Sequence, residues 1–305
     1  MERESSAYKK KCRRIRQMRE QRRKIKRRLA LAMFFFAVLA FFLVGKTLYG
    51  IGRAFAAESG IWKQADSDTG DLLADGGPDE AAALEDEMSD AEKETYIQEH
   101  AGLYTEDLLE LLGKNAETLD YVYHYPELSD EEQEIDLSEE AEGETLPLLL
   151  QWDARWGYAS YGDGLIGYTG CAPTCLSMVA IYLTGEADYT PLYIAEYAEE
   201  NGYYISGKGT DWSLINSGCL AFGIQSREQA LDEASMKAAL DAGHTLVCSV
   251  RKGDFTDRGH FIVLTGYTDE GFTLNDPNSI VNSSRAWTYE ELSWQIRKIW
   301  KFSKA

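Results

Sequence analysis

The hydrophobic pattern of the chain begins with a long apolar run near the N-terminus. Residues 29–45 are seventeen consecutive residues without a charge, and the apolar character resumes after Lys46 and continues to Ile51. A helix needs about 20 apolar residues to cross a hydrocarbon core of about 30 Å. We therefore predict a transmembrane helix over residues 29–51, in which the ammonium group of Lys46 reaches the membrane interface.

The pattern then becomes polar, and two different segments are predicted within it. Residues 58–95 are rich in Asp, Glu, Ala and Gly and contain one aromatic residue, Trp62. This composition buries too little apolar surface to offset chain entropy, so we predict a disordered acidic linker over residues 52–102. Leucines recur at helical spacing between positions 103 and 119, which predicts a helical segment over residues 103–145, here called the preface. Within the preface, residues 121–126 are predicted to be an extended aromatic segment.

From about Leu146 the pattern is that of one folded domain, which we assign to residues 146–305. Six of the seven tryptophans lie in this part of the chain. The predicted helices cover residues 173–183, 191–201, 211–222 and 231–242. The predicted strands cover residues 245–250, 261–267 and 272–275, and a terminal segment covers residues 291–302. Helices followed by an antiparallel sheet are typical of the α+β class.

The charge distribution adds an orientation to this picture. Residues 1–28 carry 14 basic and 3 acidic side chains, whereas residues 29–305 carry 17 and 48. Positive charge before an apolar span predicts a cytoplasmic tail at residues 1–28 and an exported C-terminal part. A cleaved signal peptide is the alternative, since Ala54-Phe55-Ala56 resembles a cleavage site. Both interpretations place the domain outside the cytoplasm, and the acidic balance argues against a nucleic-acid partner.

The first chemical signal is a cysteine at a predicted helix start. Cys171 lies two residues before Pro173, a residue that suits the first turn of a helix, and Gly170 lies directly before Cys171. Free N–H groups and the helix dipole favour a thiolate at this position. A buried structural cysteine is the alternative. Cys175 lies one turn further and is expected to pack inward, and no third ligand is close enough in sequence to predict a metal site.

The second signal is a histidine and an aspartate on one predicted hairpin. His260 opens an apolar strand, and the next strand ends at Asp276. If the numbers of paired residues sum to 538, Asp276 lies on the face of His260, whereas a sum of 539 turns it away. We predict the even register, which requires a bulge or an odd-numbered loop near Gly271. His244 is the competing histidine, and a core histidine without chemistry is the alternative for His260.

These residues form a pattern that resembles the C39-like cysteine peptidases, a papain-like group. The resemblance covers about residues 146–302. It is carried by Gln151-Trp152-Asp153, Gly170-Cys171-Ala172-Pro173-Thr174, Gly259-His260-Phe261 and Asn275-Asp276-Pro277. It implies a papain-like fold with Cys171 as nucleophile, His260 as general base and acid, Asp276 as the orienting carboxylate and Gln151 as an oxyanion donor. The family usually has Gly at the position of Ala172 and Ser at that of Cys175.

The expected function is therefore a membrane-tethered, extracytoplasmic cysteine peptidase or amide hydrolase that acts on a peptide or protein. No cofactor and no metal are expected. Relatives that cut double-glycine leader peptides act on the cytoplasmic side, so leader processing is not expected here. Two alternatives remain open: a non-catalytic module that binds a peptide or cell-wall fragment, and a transferase that uses the same thiol. The substrate, the oligomeric state and a disulfide between Cys219 and Cys248 are left open by the sequence.

Overall fold

The computed structural model describes residues 88–131 and 133–305. The helices are α1 (Asp90–Glu99), α2 (Glu106–Lys114), α3 (Leu119–Tyr123), α4 (Tyr125–Leu128), α5 (Ser138–Glu142), α6 (Ile166–Thr169), α7 (Cys171–Thr184), α8 (Pro191–Glu200), α9 (Ser213–Asn216), α10 (Glu233–Asp241), α11 (Ile280–Ser283) and α12 (Tyr289–Ser293). The strands are β1 (Ser160–Tyr161), β2 (Gly164–Leu165), β3 (Tyr204–Ile205), β4 (Gly209–Thr210), β5 (Ile224–Gln229), β6 (Thr245–Arg251), β7 (Gly259–Thr268), β8 (Gly271–Asn275) and β9 (Ile296–Lys304).

The predicted tail at residues 1–28, the predicted transmembrane helix at residues 29–51 and most of the predicted linker lie outside the described residues. Within the described ranges, no helix combines the length and the apolar character that a bilayer crossing requires.

The centre of the domain is a five-stranded antiparallel sheet with the order β5-β9-β6-β7-β8. Alternate residues of β7 enter two different apolar clusters, as Val263 packs on the side of α7 and Ile262 packs on the side of α10. Because both faces of the sheet are covered, β6 is buried along six consecutive residues. The structure therefore mixes helices and sheet as the α+β prediction requires.

The helix α7 passes over one face of this sheet and includes the helix predicted over residues 173–183. Ten of its residues, from Ala172 to Ile181, are buried. Its C-terminal residue is followed by Gly185 with φ 75°, a left-handed conformation that glycine adopts without steric cost. The long buried helix fixes the position of its own first residue, Cys171, relative to the sheet.

The preface packs on the domain through a third apolar cluster. Tyr121 stacks on Tyr158 of the domain at 4.5 Å between ring centroids, and both side chains are buried. The predicted extended segment at residues 121–126 is wrong, because α3 and α4 occupy it. Pro126 lies in the first turn of α4, a position that proline tolerates, so it begins a helix here instead of ending a strand.

The C-terminal end of the predicted disordered linker is also different from the prediction. Residues 90–99 form α1, and Ser89 and Glu92 form a capping box at its start. Ile97 is buried in the cluster of the preface, and Lys93 donates to Asp120 at 2.7 Å. These tertiary contacts supply the burial that the polar composition of this stretch lacks by itself.

Three boundaries in the domain also differ from the predictions. The predicted helix over residues 211–222 is divided into α9 and a 3₁₀ turn at Gly218–Phe222. The strand β5 follows it and is not predicted by the sequence pattern, because its exposed side chains are polar. The terminal segment begins with α12 before it becomes β9.

Candidate active site

Cys171 is the first residue of α7, and its side chain is half-buried. The first N–H groups of a helix have no partner within it, and Pro173 has no N–H group. The backbone N–H groups of Cys171 and Ala172 are therefore available at this end. Ala172 has the right-handed helical conformation, so alanine causes no strain at this position. Gly170 is required by close packing, since an added Cβ would lie 2.5 Å from the carbonyl oxygen of Ile166.

The β7–β8 hairpin brings His260 and Asp276 together. Near the turn, the numbers of paired residues sum to 539, but beyond a bulge after Leu264 they sum to 538, as for Val263 and Asn275. Because β7 has one extra residue at the bulge, the side chains beyond it pair with a register shifted by one and point to the opposite face of the sheet. The predicted even register is confirmed, and the bulge lies in the middle of the hairpin and not at Gly271.

The carboxylate of Asp276 is completely buried and has three hydrogen-bond donors. Its Oδ1 accepts from Nε2 of His260 at 2.7 Å and from the backbone N–H of Asn278 at 2.8 Å. Its Oδ2 accepts from Nδ2 of Asn282 at 2.8 Å. The backbone N–H of Asp276 donates to the hydroxyl of Ser283 at 2.9 Å. The loop after β8 thus holds the carboxylate against the imidazole in one orientation.

The electrostatic environment of His260 favours its protonated form. Burial lowers the pKa of the ring, but the charge of Asp276, its hydrogen bond and the side chain of Cys171 outweigh burial and raise the pKa of His260 to about 10. Among the causes that raise the pKa of His260, the side chain of Cys171 contributes both through a hydrogen bond and through its charge. Because Nε2 faces Asp276, Nδ1 is the nitrogen left for the sulfur.

Gln151 connects the two sides of the site. Its backbone N–H donates to the carbonyl oxygen of Pro277 at 2.7 Å, next to Asp276. Its side-chain Nε2 donates to the carbonyl oxygen of Gly167 at 2.9 Å, on the helix that precedes Cys171. A side-chain amide has two N–H groups, so this contact orients the amide and leaves one donor. Gln151 is 3% exposed, which is the dry environment that strengthens such a donor.

Residues 144–304, more than half of the chain, match the Peptidase_C39 like family. The chain belongs to this family. The matched residues include Gln151, Cys171, His260 and Asp276, and the match begins at residue 144, at the end of the preface.

Two solved structures are similar to this member of the Peptidase_C39 like family. One is the peptidase domain of Streptococcus ComA, a bifunctional ABC transporter involved in a quorum-sensing pathway, with 16% identity and a TM-score of 0.35, over 52% of this chain and 99% of that chain. The other is from Bacillus anthracis and is described as a C39-like peptidase, with 14% identity and a TM-score of 0.35, over 56% of this chain and 98% of that chain. Among curated proteins, none matches this chain.

The other cysteines of the described ranges lie away from solvent. Cys175 is buried, as predicted, and burial raises the pKa of its thiol well above the usual range. Cys219 and Cys248 are both free thiols. They lie in the two clusters on opposite faces of the sheet, which explains why they do not form a disulfide. In the described part of the chain, no group of three or more His, Cys, Asp and Glu side chains is arranged to hold a metal ion.

His244, the competing histidine, and the two histidines before the domain make other contacts. His244 contacts the carbonyl oxygen of Phe302 through Nδ1 at 3.0 Å, and it lines a surface cavity at the edge of the sheet. His100 stacks on Tyr96, and His124 lies at the junction of α3 and α4.

Several residues of the site were not predicted from the sequence. The sequence gives only a weak indication of Asn282. Ser279, three residues earlier, is a typical residue before a helix start, and it caps α11 by accepting from the backbone N–H of Asn282. Glu117 contacts this same loop from the preface, at a separation of more than 160 residues. No local pattern indicates a contact over that distance.

Proposed function

We propose that this chain is a cysteine peptidase or amide hydrolase in which Cys171 is the nucleophile and His260, Asp276 and Gln151 assist it. The buried hydrogen bond between His260 and Asp276 at 2.7 Å, next to a half-buried cysteine at a helix start, is the observation that carries the proposal. The membership in the Peptidase_C39 like family supports the same reaction class.

The first half of the reaction forms a thioester. The Cys171 thiolate attacks the carbonyl carbon of an amide, and the C–S bond forms as the carbonyl oxygen becomes an oxyanion. The Nε2 donor of Gln151 and the backbone N–H of Cys171 stabilise this oxyanion. The imidazolium of His260 gives its Nδ1 proton to the amide nitrogen, and the C–N bond then breaks with release of the amine.

The second half returns the enzyme to its starting state. Neutral His260 takes a proton from water, the hydroxide oxygen attacks the thioester carbon, and a second oxyanion forms in the same place. The C–S bond breaks with release of a carboxylic acid, and the thiolate–imidazolium pair is restored. Each of the general base and the oxyanion donor is expected to supply a factor of about 10² to 10³ in rate. An amine in place of water would give a transferase.

The direct test is site-resolved alkylation and peptide cleavage by the full chain. We expect iodoacetamide to alkylate Cys171 at pH 6, and His260→Ala to slow this alkylation by about tenfold or more. Cys175→Ala is the matched control, because this thiol is on the same helix but buried. In a peptide library, hydrolysis products are expected with the wild type and not with Cys171→Ala.

Two other outcomes would contradict this proposal. If His260→Ala leaves the alkylation rate of Cys171 unchanged and the library is bound but not cleaved, the domain is a peptide-binding module. If the products carry a second amine in place of added water, the chain is a transferase that uses the same thiol.

The proposed location is the outer face of a membrane, with the tail of residues 1–28 in the cytoplasm. The basic tail and the apolar run at residues 29–51 support it. Cys12 belongs to the tail and Cys171 to the domain, so a membrane-impermeant maleimide added to intact cells is expected to label Cys171 and not Cys12. Labelling of Cys12 with protection of Cys171 would reverse the proposed orientation.

A further inference from the structure

The loop that carries Asp276 contains α11, and α11 determines where the carboxylate points. Asn282 donates to Oδ2 of Asp276 at 2.8 Å, and the hydroxyl of Ser283 accepts from the backbone N–H of Asp276 at 2.9 Å. Any displacement of α11 therefore moves the carboxylate that faces His260.

Apolar burial does little to hold α11 in place. None of its four residues is buried. Ile280 is 47% exposed and Val281 is 63% exposed, although both side chains are apolar. The position of this short helix must therefore depend on hydrogen bonds to its neighbours.

Asp276 supplies some of these hydrogen bonds, Nε1 of Trp287 donates to the carbonyl oxygen of Asn282 at 3.0 Å, and one side chain of the preface supplies those at the start of the helix. The carboxylate of Glu117 accepts from the backbone N–H of Ile280 at 2.7 Å and from that of Val281 at 3.2 Å. It also accepts from the hydroxyl of Ser279. These N–H groups belong to the first turn of α11 and have no partner within the helix, and a carboxylate is the favoured acceptor at that end.

A second contact from the preface is made beside the first. The side-chain amide of Asn115 donates to the carbonyl oxygen of Asn278, and the backbone N–H of Asn278 donates to Oδ1 of Asp276 at 2.8 Å. Two residues of the preface thus hold the stretch of the loop between residues 278 and 281, and the donors to the carboxylate, Asn278 and Asn282, lie at the start of this stretch and directly after it.

We propose that Glu117 is a positioning residue for the reaction at Cys171. It acts through α11 on Asp276, and through Asp276 on the orientation and charge of His260. This inference rests on the proposed function for its effect on rate, but its effect on His260 is independent of any substrate. Because the match to the Peptidase_C39 like family starts at residue 144, the positioning residue lies outside the matched part.

The first measurement is the titration of His260 by NMR of ring-labelled histidine in the full chain, which has four histidines. His260→Gln assigns the signal. We expect Glu117→Ala to lower the midpoint of His260, and Glu117→Gln, which keeps one acceptor oxygen, to lower it less. Glu131→Gln, an exposed acid of the same preface, is the matched control and is expected to leave the midpoint unchanged.

The second measurement is a double-mutant cycle on peptide cleavage. Glu117→Ala is expected to lower kcat by about tenfold to a hundredfold with little change in KM, since misplacement of a catalytic group costs rate. In an Asp276→Ala background, the same change is expected to have less than about a twofold effect, because its path of action is already removed.

The two measurements separate the inference from the proposed function. An unchanged midpoint of His260 in a folded Glu117→Ala variant would overturn the positioning role, as would an equal fall in kcat with and without Asp276. If the wild type cleaves no peptide, the proposed function fails, and the titration alone then decides the role of Glu117.

Discussion

The charge of Asp276 is expected to be the main reason that His260 stays protonated, and Asp276→Asn tests this. The substitution keeps the shape of the side chain, and Oδ1 keeps its bonds to His260 and to the N–H of Asn278. The new Nδ2 faces Nδ2 of Asn282, which donates to this position in the wild type. Rotation of the Asn282 amide by half a turn restores that bond, so the fold is expected to persist.

The magnitude follows from the loss of a charged hydrogen bond in a buried place. Such a bond contributes about 1.5–3 kcal/mol, and 1.36 kcal/mol corresponds to one pKa unit. The pKa of His260, which Asp276 and Cys171 raise to about 10, is therefore expected to fall by about one to two units. Measurement in a Cys171→Ala background removes the contribution of the sulfur from both sides of the comparison.

The assay is the pH titration of the labelled histidine rings, with thermal unfolding as the test of foldedness. Asp269→Asn is the matched control, because it removes a carboxylate from the exposed turn of the same hairpin. An unchanged midpoint of His260 in a folded Asp276→Asn variant would refute the reasoning, since it would mean that the hydrogen bond at 2.7 Å contributes no electrostatic stabilisation.

Three other predictions concern the oxyanion donor, the packing behind it and the stability of the fold. Gln151→Ala is expected to lower kcat by about 10² to 10³ with little change in KM, and an unchanged kcat in steady-state kinetics would remove its role. Gly167→Ala would place a Cβ 2.3 Å from the hydroxyl of Tyr121, so chemical unfolding should show a loss of about 1–3 kcal/mol in the free energy of unfolding. Gly113→Ala is the control, because the space around Gly113 is open, and it should show no such loss. The pKa of His260 is raised from 6.5 to about 10, so its protonation stabilises the folded state fully below pH 6.5, and this stabilisation is lost as the pH rises towards 10. The free energy of unfolding should therefore fall more steeply between these pH values in the wild type than in His260→Gln.

The described contacts make the preface a part of the site and not only a spacer. Glu117 and Asn115 hold the loop of Asp276. Tyr121 donates to the carbonyl oxygen of Gly157 at 2.8 Å and packs against Gly167, whose carbonyl oxygen orients Gln151. A domain cut at the boundary of the family match would lack these contacts, and we expect it to lose both rate and stability.

The elements that the sequence predicted well are those with strong local signals. The helix α7 combines Pro173 in its first turn, an apolar core-facing stripe and Gly185 at its end, and each of these acts within a few residues. The same holds for β6 and β7, where continuous apolar runs indicate a sheet covered on both faces. The identity of Cys171 and His260 as candidates followed from the same local rules.

The elements that the sequence did not predict depend on burial against distant residues. The helices α3 and α4 were predicted as extended, because their aromatic residues have no helical period, and contacts with Tyr158 decided their conformation. The polar α1 is stabilised by the burial of Ile97 in the same cluster.

For the candidate site, the sequence by itself determined which residues are candidates for the chemistry, because residue type and position at the ends of helices and strands are local properties. Only the tertiary structure decided how they meet. The bulge between Leu264 and Gly266 turned Asp276 towards His260, and a glycine inside a strand is compatible with a bulge but does not require one. The contact of Glu117 with α11 joins positions more than 160 residues apart, and such a pairing exists only when the folded chain brings the two surfaces together.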